Sequence, residues 1–112
     1  MLDLIIKNAK ICTSSDIFVS DIGILNKQIV SLEKKISQKS KETLDAEGKY
    51  VLPGGIDGHC HLDQPMKDGS VIADNFETGT KSAAFGGTTT VIPFAVQYKG
   101  ENLRKVIEDY HK

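Results

Sequence analysis

The sequence predicts an α/β protein in two parts, a small antiparallel β-domain over residues 1–52 and the start of a parallel β/α array over residues 53–112. Three observations carry this. Residues 1–52 break into short apolar runs separated by turn signals, the pattern of an antiparallel β-domain. From Pro53 the pattern changes to strand, loop, helix, strand, helix, the opening of an alternating α/β fold. At the change stands the run Pro53-Gly54-Gly55-Ile56-Asp57-Gly58-His59-Cys60-His61, which puts paired histidines at a strand end.

Each element has its own justification. Leu2, Leu4 and Ile6 alternate with Asp3, and residues 9–13 form a second short run. Residues 18–25 alternate around Val19, Ile22 and Ile24, and residues 29–32 return after Asn26-Lys27. Asn tolerates the positive φ that a tight hairpin turn needs. Residues 33–42, rich in Lys, Ser and Gln, read as a solvated loop or strand edge. Residues 43–46 and 49–52 are further short strands. Beyond Pro53, residues 56–62 read as the histidine-bearing strand and residues 63–73 as a loop punctuated by Pro65 and Gly69. Asp74 with Glu77 three residues later predicts a capped helix start, and Gly86-Gly87 its end. Residues 88–94 are a β-branched strand whose pairing should loosen at Pro93. Leu103, Val106, Ile107 and Tyr110 then mark one face of a helix.

Composition narrows the function. A net charge of −1 argues against nucleic acid and anionic membranes as partners, and the lysines of residues 34–41 have no aromatic residues among them. The apolar run after Met1 is too short for a signal or a membrane span, so a cytoplasmic protein is expected. There Cys12 and Cys60 are expected as reduced thiols. Cys60 lies between the histidines, so its side chain should face away from theirs and pack. Gly54-Gly55 and Gly86-Gly87 read as turn glycines with no phosphate-binding context.

The chemistry lies in His59 and His61. In a strand, side chains at i and i+2 share a face, so both imidazoles could serve one metal ion, zinc being the first candidate. The competing reading is a pair of structural histidines. Asp57 has the same parity and is placed behind the metal, accepting an imidazole N–H and fixing its tautomer. His111 falls on the polar side of the last helix and is given no role.

The nine-residue run resembles the metal signature of the amidohydrolase superfamily, roughly P-G-x-I-D-x-H-x-H. The approach through Asp45-Ala46-Glu47-Gly48-Lys49-Tyr50-Val51-Leu52 and the stretch from Phe76 to Thr90 are similar to the cyclic amidases, the dihydropyrimidinases and hydantoinases. The resemblance implies a small β-sandwich-like N-terminal domain and the first two β/α units of a (β/α)₈ barrel. It implies an incomplete barrel, since that fold takes about 250 residues. It implies a hydrolase opening dihydropyrimidine or hydantoin rings to N-carbamoyl amino acids, in pyrimidine degradation, and a homo-tetramer. It further implies two zinc ions, with His59 and His61 on one. The bridging carboxylated lysine, the later histidines and the proton-shuttling aspartate would lie beyond Lys112. No catalytic residue is therefore expected among these residues, and the chain alone is expected to be inactive.

By position, residues 62–72 resemble the family's substrate loop, with Leu62, Asp63, Met66 and Val71 as its candidate lining. Dihydroorotases carry a carboxylate-binding arginine two residues after the second histidine. Asp63 stands there instead, which favours a neutral ring over an anionic one. The alternative function is a non-catalytic dihydropyrimidinase-like scaffold. Such relatives typically lack the metal histidines that this sequence has.

Overall fold

The computed structural model describes residues 1–111 and divides into two compact units, Met1–Pro53 and Gly54–Lys112. The first unit is a five-stranded sheet of β1 (Leu2–Cys12), β2 (Ile17–Leu25), β3 (Gln28–Glu33), β4 (Ser40–Asp45) and β5 (Tyr50–Val51). Its path runs β3-β2-β1-β4, and β5 also pairs with β1. The β2–β3 hairpin turns through Asn26 and Lys27, whose φ angles of 51° and 63° are those of a primed turn.

The sheet is mixed, not antiparallel as the sequence suggested. β1 pairs antiparallel with β2 but parallel with β4 and β5. Alternation reveals that a segment is a strand, not which neighbour it will choose or in which direction. The two short runs expected at the N-terminus are one strand with a bulge between Ile6 and Ala9. Asn8 sits there at φ 54°, its main-chain N–H donating to Asp21 Oδ1 at 3.0 Å and its side-chain amide to Asp45 at 2.9 Å. Asp21 is buried, and its other oxygen accepts the Ile36 N–H at 3.0 Å, so neither oxygen is left unsatisfied. Ile36, expected in a solvated loop, is buried with Leu2 and Ile5. Ala9, Ile11, Ile22 and Ala46 form the second cluster.

The second unit alternates strand and helix: β6 (Gly55–Cys60), α1 (Phe76–Phe85), β7 (Thr88–Pro93) and α2 (Leu103–Tyr110). β6 and β7 pair in parallel, as a helical crossover requires. α1 starts one residue later than predicted. Asn75 caps it, accepting the Thr78 N–H at 2.8 Å, and Thr78 Oγ1 accepts the Asn75 N–H at 3.1 Å. Asp74 and Glu77 do not form that box. Asp74 instead accepts the Thr78 hydroxyl at 3.1 Å. The helix closes at Gly86, followed by Gly87 at φ 89°, a conformation that excludes most side chains. On α2, Val106 and Tyr110 are half-buried, whereas Leu103 and Ile107 of the predicted face are exposed.

Candidate metal centre

The site grows from the C-terminal end of β6. His59 is its penultimate residue and His61 lies just past the last, Cys60. Their ring centres are 5.5 Å apart. Beside them β7 ends at Pro93, and the next residue, Phe94, donates its N–H to the Cys60 carbonyl at 2.8 Å. The ladder slips between Asp57 and Cys60, where Pro93 has no N–H to give, and resumes at Phe94. This pairing brings the Phe94 ring against both imidazoles. It stacks on His59 at 4.8 Å and 17° between planes, and meets His61 at 5.5 Å and 42°.

The surroundings of the rings differ from expectation in two respects. Asp57 accepts the main-chain N–H of His59 at 3.0 Å, not an imidazole N–H. The carboxylate meets the backbone and not the ring, because a short aspartate two residues back reaches the chain first. The side chain that does meet an imidazole is Gln64, whose Oε1 lies 2.5 Å from His61 Nδ1. Sequence reasoning passed over Gln64 and Phe94. An amide three residues after a histidine was the available signal for the first, and an aromatic ending the adjacent parallel strand for the second.

The loop after His61 is ordered by local bonds. Pro65 and Val71 form an antiparallel bridge, Met66 N–H reaches the Ser70 carbonyl at 3.1 Å, and Asp68 accepts the Ser70 hydroxyl at 2.6 Å. The Ser70 hydroxyl and N–H hold the Asp68 carboxyl below the usual carboxylate range. Of the substrate-loop candidates, Asp63 and Val71 line a cleft of about 1190 Å³ between this loop and α2, together with Phe76, Tyr98 and Tyr110. Leu62 does not. It is buried at 8% exposure, packed where a side chain on Gly79 of α1 would otherwise reach. Its carbonyl accepts the Tyr110 hydroxyl at 3.2 Å. Burial pushes the Tyr110 phenol up, with Cys60 and Asp63 adding to the effect. Leu62 is thus an anchor of the loop, not a wall of the cleft. Met66 likewise lies off the cleft, its Sδ 3.7 Å from Gln64 Nε2. His111 ends α2, where its N–H caps the Ile107 carbonyl at 3.2 Å.

Parallel strands joined through a helix, with imidazoles gathered at their C-terminal ends, define the opening of a β/α-barrel protein. The comparisons with known proteins give the family. The chain belongs to the amidohydrolase family, whose model matches residues 50–112. The D-hydantoinase of Geobacillus stearothermophilus is 48% identical over 107 residues, which are 96% of this chain and 22% of that protein. A solved D-hydantoinase superposes with a TM-score of 0.86 at 47% identity, over 99% of this chain and 24% of that one. The dihydropyrimidinase of Brevibacillus agri does so with a TM-score of 0.85 at 43% identity, again over 99% and 24%. The chain therefore spans about a quarter of the length of the relatives it matches. No described helix is long and apolar enough to cross a membrane.

Family membership implies a metal cofactor, and the donor set can be tested for fit. Two imidazoles on one tetrahedral ion, with metal–nitrogen bonds of about 2.0–2.1 Å, place their ring centres roughly 5 Å apart. The pair here is 5.5 Å apart. Gln64 takes up Nδ1 of His61, which leaves Nε2 free to bind a metal. The residues fit half of a tetrahedral site. Among the described residues no group of three or more His, Cys, Asp or Glu side chains converges to complete it.

Proposed function

We propose that this chain forms the N-terminal part of a zinc-dependent hydrolase that opens neutral cyclic amides, dihydropyrimidines or hydantoins, to N-carbamoyl amino acids. The observation that carries the reading is the imidazole pair, 5.5 Å apart at the end of β6, in a chain of the amidohydrolase family. His59 and His61 would hold one zinc. When bound, a metal of this kind polarises a carbonyl and lowers the pKa of bound water to about 7. The remaining ligands, the second zinc and the proton shuttle would come from barrel residues other than these. The chain's own residues then have defined tasks. Phe94 fixes the plane of the His59 ring and shields one face from water. Asp57 steadies the His59 main chain. Asp63 presents a carboxylate to the cleft. A cytoplasmic homo-tetramer working in pyrimidine degradation completes the proposal.

Asp63 bears on the choice of substrate. A carboxylate lining the cleft repels an anionic substrate, since like charges brought together are penalised. The full-length enzyme should hydrolyse dihydrouracil or hydantoin with a far higher kcat/KM than dihydroorotate, and Asp63→Arg should narrow the gap. A wild-type preference for dihydroorotate would reject the substrate class. A neutral-ring preference untouched by Asp63→Arg would keep the class and remove Asp63 from its basis.

A further inference from the structure

We infer that Gln64 is the residue that sets the tautomer of His61, keeping the proton on Nδ1 so that Nε2 is the metal-binding nitrogen. The inference rests on the metal reading above and names a positioning residue for it. Among the described residues Gln64 is one of three buried polar or charged side chains, with Ser20 and Asp21, at 8% exposure. Its Oε1 lies 2.5 Å from His61 Nδ1. An amide oxygen can only accept, so the imidazole nitrogen facing it must carry the hydrogen. The other end of the amide is also engaged, with Nε2 3.7 Å from Met66 Sδ. Thioether sulfur is a weak acceptor and amide oxygen is not a donor, so this partner selects the orientation that puts Oε1 on His61. Turned over, the amide would donate to Nδ1, force the proton onto Nε2 and block the nitrogen a metal needs.

The placement is built rather than incidental. Gln64 is held at both sides. Its predecessor Asp63 takes φ 48° and donates its N–H to the Asp74 carbonyl at 2.9 Å. Its successor Pro65 is bridged to Val71. Leu62, buried against α1 and bonded through its carbonyl to Tyr110, fixes the chain between the imidazole and the amide. Rotating the Gln64 side chain away would take its amide from both of its partners, His61 and Met66. The His59 ring stacks on Phe94, and its main-chain N–H donates to Asp57. Phe94 meets both rings, and only His61 adds a side-chain hydrogen bond among those described.

The test reads the His61 ring itself, one of three histidines within these 112 residues, with His59 and His111. The full-length protein, labelled with ¹⁵N in the histidine rings, is observed without metal and during titration with zinc. Single histidine substitutions assign the signals. In the wild type, His61 should show a protonated Nδ1 and a bare Nε2, and zinc should move the Nε2 resonance. Gln64→Leu, of similar size but without the acceptor, should give a mixed tautomer and weaken zinc binding by about 10–100-fold, the usual loss when a ligand's orienting partner is removed. Gln64→Glu, which keeps the acceptor, should restore the Nδ1–H form. A wild-type His61 protonated on Nε2 overturns the inference, as does a Gln64→Leu protein with unchanged tautomer and affinity. If the tautomer is as stated but zinc moves neither His59 nor His61, the metal reading fails and the inference falls with it. The wrong tautomer with a normal zinc response removes Gln64 alone.

Discussion

Replacing Leu62 by alanine distinguishes an anchoring residue from a cleft-lining one. Leu62 is 8% exposed, so nearly all of its side chain is lost from a packed environment. Buried Leu→Ala changes cost about 2–5 kcal/mol, and with one flank at the loop the lower part of that range, about 2–3 kcal/mol, is expected here. Gly79 supplies the internal control. A methyl group added there runs into Leu62 Cδ2. Gly79→Ala alone therefore sets an overpacking cost of about 1–3 kcal/mol against a helix-propensity gain of about 1 kcal/mol. With Leu62 already cut to alanine the collision is gone and only the gain remains. The double variant should be more stable than the sum of the singles by about 1–3 kcal/mol. Urea unfolding midpoints of the four proteins, with slopes checked for constancy, give the cycle. A Leu62→Ala loss below about 0.5 kcal/mol together with additive behaviour would refute the packing argument and return Leu62 to the cleft.

Two further expectations follow from the same residues. Asp3 is held below the usual carboxylate range first by its bond to Lys41 Nζ at 2.6 Å and then by the Asn26 N–H at 2.7 Å. Asp45 is held low by the Asn8 amide and the Glu47 N–H. A depressed carboxyl adds stability above its unfolded value, about pH 4, and loses it as pH falls through the lower folded value. Asp3→Asn and Asp45→Asn should each flatten the decline in urea midpoint between about pH 5 and 2. An unchanged acid slope in both contradicts the assignment. The 112-residue chain alone, given zinc and dihydrouracil, should release no ring-opened product above the buffer rate, because two imidazoles leave the metal short of protein ligands. Metal-dependent turnover would contradict this.

What was legible in the sequence is what neighbouring residues decide. The Asn26-Lys27 hairpin, the β-branched strand before Pro93 and the Gly86-Gly87 stop are local chemistry, and they stand where the sequence put them. The α1 start slipped by one residue because Asp74 and Asn75 are comparable caps, and only Thr78, which closes the box on Asn75, separates them. The bulge at Asn8 was not legible, since its partner Asp21 is 13 residues away. The parallel docking of β4 and β5 was hidden for the same reason, as nothing in residues 40–51 names β1 as their neighbour. At the site, the paired histidines stood out by spacing. Their environment did not. Leu62 becomes core only because Gly79 leaves it room, and Phe94 reaches His59 only through the β6–β7 register. Asp57 had the right parity for an imidazole but a nearer N–H to satisfy.

The central proposal is that His59 and His61 bind one metal ion. The measurement is metal content, by elemental analysis, of the purified full-length protein and of its His59→Ala and His61→Ala variants. Far-ultraviolet circular dichroism serves to confirm that each variant keeps its secondary structure. Each variant, folded like the wild type, should lose the metal held at the end of β6 and with it the ring-opening activity. A folded variant of either kind that retains wild-type metal content and full activity would contradict it.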